Sequence, residues 1–227
     1  MTGILKEERI GGQRLLLGDC IEVMPLLGRF NAVVTDPPYG LGAKLRIGGF
    51  AKWPLMKAKM AGATWDNDTA AAAIIAAIEC SDSAIIWGGQ YYALPPMGGW
   101  LIWDKIVRNF SSGHVEMAWT TLDQPTRAYN YAHGQLASEG KLHPTQKPLP
   151  LMEWCLGFLP KATTILDPFM GSGTTLVACQ KLGRQGTGIE LDPDYFAIAC
   201  KRVDEATRQP DMFVQASQPA PTQEPLL

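Results

Sequence analysis

The chain has few of the residues that hold metals or disulfides. Its 227 residues include five cysteines and three histidines, and the cysteines form no CxxC pair. A scattered, odd number of cysteines in a chain of this size is typical of reduced, mostly buried thiols in a cytoplasmic protein. We therefore expect a cytoplasmic protein without a disulfide framework and without a metal site.

The sequence also lacks a strong net charge and a long apolar run. Its formal net charge is −2, with 46% hydrophobic and 19% charged residues, which is ordinary for a globular protein. No run approaches the roughly 20 apolar residues that span a bilayer, and the N-terminus has no signal-peptide core. We expect one domain without membrane association. Any nucleic-acid surface must be a local patch.

The most informative stretch is Asp36-Pro37-Pro38-Tyr39. It follows an apolar, β-branched run over residues 30–35 that predicts a buried strand. Asp36 would therefore lie at the strand's carboxyl end, where open α/β sheets bind ligands. The prolines hold the chain extended and leave their carbonyls without local partners.

This stretch suits a planar heterocycle that carries an exocyclic amino group. The Asp36 carboxylate and the Pro37 carbonyl would each accept one amino hydrogen, and Tyr39 would stack on the ring. That arrangement would aim the nitrogen lone pair at an electrophile. The alternative for Asp-Pro-Pro alone is a turn with a capping aspartate.

A second motif far downstream combines a strand, a glycine-rich turn and a helix. A predicted strand over 163–166 leads into Asp167-Pro168-Phe169-Met170-Gly171-Ser172-Gly173-Thr174-Thr175. Its glycines permit close backbone approach to a ligand, and the helix start offers free amides. Gly173 stands where a Walker loop needs lysine, so we discount a nucleotide triphosphatase. Glu190 ends a predicted strand over 186–190, and an acid there suits a ribose diol.

Residues 41–68 form a long segment with little periodicity and a positive charge. Its basic residues are Lys44, Arg46, Lys52, Lys57 and Lys59, with no acid before Asp66. A loop this long in a compact domain is usually functional or disordered, and a basic loop beside an active centre suits a phosphate backbone. A merely solvated, mobile loop is an equal alternative.

The small polar region 105–142, with Arg108 and Arg127, is the other candidate for contacts with a phosphate backbone. Residues 208–227 have the composition of a disordered tail.

Together these motifs resemble those of the S-adenosylmethionine-dependent DNA amino-methyltransferases. The tetrapeptide at Asp36 resembles the family's catalytic motif, and residues 167–175 resemble its cofactor motif. The resemblance extends to residues 18–20, 143–148 and 188–192, so it covers most of residues 14–206. Because the catalytic motif precedes the cofactor motif, the order resembles the β-group. Protein-glutamine methyltransferases have Asn-Pro-Pro-Tyr after the glycine motif, so we set that interpretation aside.

The resemblance implies a fold and a set of binding residues. The fold is a Rossmann-like α/β methyltransferase domain over residues 1–207, with a seven-stranded, mostly parallel sheet and helices on both faces. The turn from Asp167 to Gly173 would hold the methionine half of S-adenosylmethionine, and Glu190 its ribose. The other implied cofactor residues are Asp19 and Cys20 at the adenine, Thr145 and Lys147 near the carboxylate, and Asp36, Thr174, Thr175 and Leu191. For Glu190 and Asp19 the alternative is a cap on the next helix.

The implied reaction is methyl transfer to the N6 amino group of adenine in DNA, after the base is flipped out of the duplex. In this family Asp at the first tetrapeptide position leans to adenine, while Ser is common in cytosine-N4 enzymes. Cytosine-N4 methylation is the alternative, and a catalytically inert DNA- or cofactor-binding protein is the third. The small variable region implies recognition that is short, degenerate or completed by a second subunit, as in a homodimer. A phage or prophage in a bacterial host, or a restriction–modification system, would suit such an enzyme.

Overall fold

The structure is a computed structural model that describes residues 3–38, 68–106, 113–132 and 146–208. Within these ranges the chain forms one sheet of nine strands, in the order β1-β2-β9-β8-β3-β4-β6-β5-β7. The strands are β1 (Ile4–Ile10), β2 (Gln13–Gly18), β3 (Phe30–Thr35), β4 (Ser81–Trp87), β5 (Trp100–Asp104), β6 (Val115–Thr120), β7 (Arg127–Asn130), β8 (Thr164–Asp167) and β9 (Gln185–Glu190). Five of the eight strand pairs are parallel, so the predicted mostly parallel α/β sheet is confirmed.

Helices cover both faces of this sheet. They are α1 (Cys20–Val23), α2 (Asp68–Glu79), α3 (Leu149–Gly157), α4 (Thr174–Lys181) and α5 (Pro193–Arg208), with short 3-10 turns at Met24–Leu26 and Gly89–Tyr91. Alternate residues of β3 point to opposite faces. Val33 packs in the core that contains Ile74 of α2, whereas Val34 packs in the core that contains Leu151 of α3. None of the described helices is long and apolar enough to cross a membrane.

Two strands of the described part were missed by the prediction of seven. β1 pairs antiparallel with β2 at the sheet edge and is mostly exposed, so its sequence is charged and lacks an apolar run. β7 has four residues and lies at the opposite edge, where it pairs with β5. Edge strands bury little side-chain surface, and this is why hydrophobic patterning does not mark them. β6 and β7 lie inside the region 105–142, which therefore contains part of the sheet.

The sheet places the two motifs side by side. β3 lies between β4 and β8, with Val33 opposite Leu166 in the parallel register. The carboxyl ends of β3 and β8 therefore meet at one edge, which is where open α/β sheets bind ligands. Helix α5 begins at Pro193, and Asp192 Oδ1 caps it by accepting a hydrogen bond from the Asp194 amide at 2.8 Å. The segment 41–67 and the tail from 209 lie outside the described residues.

Candidate active site

Asp36 and Asp167 are brought together by a hydrogen bond between their strands. The Thr35 hydroxyl, at the end of β3, donates to Asp167 Oδ1 at 2.6 Å, and both groups are buried. Asp36 is the next residue after Thr35 and Asp167 is the last residue of β8. The first acids of the two motifs thus lie at the same edge of the sheet, as their positions after predicted strands indicated.

A cleft opens between them. Eight predicted cofactor residues line it, namely Asp36, Lys147, Asp167, Phe169, Gly171, Ser172, Thr174 and Thr175, together with the unpredicted Gln146, Met152 and Met170. Pro168, Gly173, Asp19, Cys20, Glu190 and Leu191 are outside this lining. The glycine-rich turn and the tetrapeptide acid therefore share one cleft.

The glycine-rich turn has a backbone that requires glycine. Gly171 has φ +53° and Gly173 has φ +79°, a left-handed region that residues with a Cβ adopt at a cost. At Gly173 a Cβ would also come within 3.0 Å of Ala199 Cβ in α5. At Gly171 the nearest atom to an added Cβ would be the Phe169 carbonyl oxygen, 4.0 Å away. A side chain at Gly173 would thus press against α5, whereas a side chain at Gly171 would meet no close protein atom.

Glu190 supports this turn directly. Its Oε2 accepts a hydrogen bond from the Gly171 amide at 2.8 Å, and its Oε1 accepts one from the Asp192 amide at 2.8 Å. Glu190 is therefore more than a helix cap, because it ties the end of β9 to the glycine turn. Each carboxylate oxygen has a second lone pair, so a ribose contact at Glu190 is compatible with these bonds and stays a prediction.

Arg202 holds the same turn from the other side, and sequence reasoning missed it. Its Nη1 donates to the Ser172 carbonyl at 2.6 Å, to Ser172 Oγ at 2.9 Å and to Thr174 Oγ1 at 3.0 Å. The Ser172 hydroxyl in turn donates to Gln146 Oε1 at 3.3 Å. Nothing in the local pattern of α5 sets this arginine apart from a solvated one, because its partners lie about 30 residues earlier.

Burial shapes the electrostatics of the cleft. It raises the pKa of Asp167 to about 6, against hydrogen bonds from Thr175, Thr35 and the Phe169 amide, and the nearby Asp36 charge adds to the rise. Burial also raises the pKa of Glu190 despite its backbone donors. The buried Asp167 carboxylate is therefore poorly solvated, and a ligand that brings positive charge would stabilise its ionised form.

The Asp167→Asn variant is expected to be more stable than the parent protein at pH 8 in the absence of ligand. Asparagine retains an oxygen for the Thr35 hydroxyl and removes a buried charge. The folded-state pKa of about 6 exceeds the reference value of 3.8, so the aspartate loses stability as the pH rises from about 4 to about 6. A shift of roughly 2 pKa units corresponds to about 3 kcal/mol. Urea unfolding from pH 3.5 to 8 checks this, and a difference between the two proteins that does not vary with pH would contradict it.

Lys147 occupies a position that the sequence did not specify. It was predicted near the carboxylate end of the cofactor, and it does line the cleft. Its Nζ lies 2.6 Å from Asp36 Oδ2 and 2.9 Å from Glu116 Oε2. Glu116 was not predicted as a site residue, because it lies on β6 about 80 residues beyond Asp36 and belongs to no motif.

The tetrapeptide is also anchored beyond its acid. The Tyr92 hydroxyl donates a hydrogen bond to the Pro38 carbonyl. This partner of the Pro38 carbonyl is not local in sequence, because it comes from the segment after β4, 54 residues further along the chain. Tyr39 follows directly and lies outside the described residues.

Asp19 and Cys20 lie at the end of β2, beside β9. The register pairs Leu17 with Glu190, so these residues adjoin the Glu190 side of the turn. Asp19 Oδ1 accepts a hydrogen bond from the Ile21 amide at 2.9 Å and caps α1, which is the structural alternative for this acid. Burial, followed by the Asp19 charge, raises the pKa of Cys20 to about 12. Adenine contacts at Asp19 and Cys20 stay a prediction.

Most of the predicted DNA-contacting residues cannot be placed. Lys44, Arg46, Lys52, Lys57, Lys59 and Arg108 lie outside the described residues, as does the predicted cofactor residue Thr145. Arg127 is described and exposed at the first position of β7. Strands β4 and β5 are both antiparallel to β6, so they run in the same direction, and β7 runs parallel to β5. Arg127 is the first residue of β7 and therefore lies at the amino ends of these strands. The cleft lies at the opposite, carboxyl ends.

Comparison with known proteins finds similar DNA methyltransferases. A family model of the N6/N4 type, described as DNA methylase, matches residues 100–201, which contain the glycine-rich motif. The type II methyltransferase M.HpaI of Haemophilus parainfluenzae is 37% identical over 82 residues, which are 35% of this chain and 26% of that protein. The chain thus spans about a quarter of the length of this curated relative.

Solved structures show the same fold. The crystal structure of the M1.HpyAVI–SAM complex superimposes with a TM-score of 0.56 at 21% identity, covering 85% of this chain and 99% of that one. The PvuII DNA methyltransferase, described as cytosine-N4-specific, gives a TM-score of 0.55 at 12% identity, covering 90% and 94%. The fold is that of the Rossmann-like methyltransferases. With the family match, this confirms the predicted resemblance to the S-adenosylmethionine-dependent DNA amino-methyltransferases.

Proposed function

We propose that this protein transfers a methyl group from S-adenosylmethionine to the N6 amino group of adenine in DNA. The observation that carries the proposal is the convergence of Asp36 and Asp167 on one cleft. The tetrapeptide contributes a carboxylate that can accept an amino hydrogen, and the glycine-rich turn contributes a cradle for a ligand. The N6/N4 family match and the methyltransferase fold support the same reaction class.

The residues present fit S-adenosylmethionine. The positive φ of Gly171 and the open space beside it provide a cradle that a side chain would fill. Asp167 supplies negative charge for a cationic ligand, while the ion pair of Asp36 with Lys147 lines the same cleft. We propose that Asp167 and the Gly171 turn hold the methionine half, with Glu190 at the ribose. When bound, the cofactor supplies an electrophilic methyl group on its sulfonium.

On the target side the protein's task is to position and polarise an amino group. Asp36 accepts one amino hydrogen and the Pro37 carbonyl accepts the other, which frees the nitrogen lone pair for attack. The hydrogen bond from Tyr92 to the Pro38 carbonyl fixes the chain that follows Pro37. Because the amino group is inaccessible within a duplex, the base must be flipped, at a cost of a few kcal/mol. Tyr39 is proposed to stack on it.

S-adenosylmethionine is expected to raise the melting temperature of the protein, whereas ATP is not. A ligand that binds only the folded state stabilises it by about 2.7 kcal/mol at a hundredfold excess over its dissociation constant. Differential scanning fluorimetry with both ligands checks this. A shift with ATP and none with S-adenosylmethionine would contradict the proposal.

Cytosine-N4 methylation is the second candidate. The cytosine-N4-specific PvuII enzyme shares the fold, and the family model covers both N6 and N4 enzymes. We favour adenine because the tetrapeptide begins with Asp36, where cytosine enzymes commonly have serine. The two candidates use the same cleft and differ in the base that fits beside Asp36.

The basic segment at 44–59 is proposed to contact DNA phosphates. Each true phosphate contact contributes close to one unit to the slope of log affinity against log salt. Neutralising Lys52, Lys57 and Lys59 together is expected to weaken all DNA sequences alike and to flatten that slope, while site preference survives. Binding titrations at several salt concentrations check this. An unchanged slope in the triple variant, with a lowered slope in Arg108→Ala, would place the contacts in region 105–142 instead.

A further inference from the structure

A chain of alternating charges runs from the Asp36 carboxylate into the protein. Lys147 bridges Asp36 and Glu116, as described above, and a second lysine continues the chain. Lys105 Nζ lies 2.7 Å from Glu116 Oε1. Two acids and two lysines thus alternate over three contacts, and their formal charges cancel.

Both lysines of this chain are buried. The side chains of Lys147 and Lys105 are 5% and 3% exposed. Lys147 Nζ lies 5.6 Å from the ring centroid of Trp87, and Lys105 Nζ lies 5.3 Å from that of Trp103. A buried ammonium is costly unless it is paired. Aromatic faces contribute attraction, but carboxylates must supply most of the compensation.

Glu116 is the anion that both lysines share. Burial alone would raise the pKa of Glu116, but the Lys147 and Lys105 charges and hydrogen bonds outweigh it and hold that pKa at about 2. Glu116 is therefore ionised throughout the physiological range. Without its charge, each of these two buried lysines would lose a carboxylate partner.

The strand pair β5–β6 gives Glu116 and Lys105 a fixed frame. Glu116 is opposite Trp103 in the antiparallel register, and the Lys105 amide donates to the His114 carbonyl at 3.0 Å. Lys147 and Asp36 lie on segments without regular structure. The position of the Lys147 ammonium is therefore determined by side-chain partners, and Glu116 is the partner that is held by the sheet.

We propose that Glu116, backed by Lys105, is a positioning residue for methyl transfer. Glu116 holds the Lys147 ammonium in place, and Lys147 in turn orients the Asp36 carboxylate toward the target amino group. This inference rests on the proposed function and adds two residues that neither motif contains. Glu116 itself needs no contact with the substrate or the cofactor.

The first test compares Glu116→Gln with Glu153→Gln. The control carboxylate, on α3, is 28% exposed against 25% for Glu116, and it pairs with Lys181 at 2.9 Å outside the cleft lining. We expect Glu116→Gln to lower kcat by about tenfold or more, in line with the coupling found within charge networks. The S-adenosylmethionine-induced shift in melting temperature is expected to stay at the parent value. Equal kcat in the two variants would overturn the proposal.

The second test adds Lys105→Met to Glu116→Gln. The double variant removes one charge of each sign and leaves Lys147 paired with Asp36. We expect it to recover part of the kcat lost in Glu116→Gln. In the cofactor-free protein, the urea midpoint is expected to recover likewise. Strictly additive losses in both readouts would show that Glu116 and Lys105 do not act on Lys147 together, and would overturn the proposal.

The outcomes separate this inference from the proposed function. A parent protein that binds DNA and S-adenosylmethionine but transfers no methyl group contradicts the proposed function, while the urea measurements still test the charge chain. If Glu116→Gln alone does not fold, Glu116→Asp replaces it. Aspartate keeps the negative charge on a side chain that is shorter by one carbon. We therefore expect kcat to fall, while the shift in melting temperature caused by S-adenosylmethionine is unchanged. Parent-level kcat in Glu116→Asp would then overturn the inference.

Discussion

Replacing Asp36 with alanine is expected to reduce kcat for DNA methylation by roughly 10³-fold, the upper range for loss of one preorganised polar contact at a reacting group. The substitution removes the acceptor for the target amino hydrogen at the edge of the cleft. Lys147 keeps a partner, because Glu116 Oε2 lies 2.9 Å from its Nζ. Asp167 and the Gly171 turn, which are proposed to hold the cofactor, are unchanged, so affinity for S-adenosylmethionine is expected to change much less than kcat. Single-turnover methylation with a parallel cofactor-binding titration measures both quantities.

Two further variants test the reason for this loss of activity. Asp36→Asn retains an oxygen acceptor without the charge, and its kcat is expected to lie between those of Asp36→Ala and the parent protein. Asp82→Ala is the matched control, since Asp82 is an exposed aspartate of β4 whose carboxylate pairs with Arg29 at 3.0 Å. Near-parent turnover in Asp36→Ala would show that the amino group is activated elsewhere.

Replacing Gly171 with leucine is expected to abolish the shift in melting temperature caused by S-adenosylmethionine. A Cβ at Gly171 meets no protein atom closer than 4.0 Å, so the new side chain has room only in the space that the ligand requires. The second cost is conformational, because φ at Gly171 is +53° and a residue with a Cβ in this region costs roughly 1–2 kcal/mol.

Gly183 supplies a control for the conformational cost. It has φ +65° and no atom within 4 Å of an added Cβ, in the turn between α4 and β9. Gly183→Leu should therefore lose a similar amount of stability and keep the full cofactor-induced shift. Equal shifts in the two variants would show that the Gly171 turn does not hold the cofactor.

The parts of the site that could be predicted are those encoded in short contiguous stretches. A buried strand followed by Asp36 or Asp167 has a local pattern, and the parallel sheet then brings both acids to one edge. Seven of the nine described strands were predicted, most of them from short apolar runs. β1 was missed because an edge strand exposes most of its side chains, so its sequence shows charges where central strands show valine and isoleucine.

The contacts that complete the site could not be predicted because their partners are distant in sequence. Tyr92 is 54 residues from the Pro38 carbonyl that it contacts, and Arg202 is 30 residues from Ser172. Glu116 lies on the predicted strand β6 but belongs to neither motif, and its partner Lys147 is about 30 residues away in sequence. An arginine or glutamate at such positions has the same local pattern whether it is solvated or holds a functional group. Only the packing of β6 and α5 decides between these possibilities.

The most direct measurement of the central claim identifies the modified nucleoside. Unmethylated DNA is incubated with the protein and S-adenosylmethionine that carries a trideuterated methyl group, and the DNA is then digested to nucleosides for mass spectrometry. We expect trideuterated N6-methyldeoxyadenosine, formed at a roughly 10³-fold lower rate with Asp36→Ala. Label in N4-methyldeoxycytidine would contradict the adenine assignment. No label in any DNA nucleoside, from protein that shows the cofactor-induced shift and binds the DNA, would contradict the proposed activity itself.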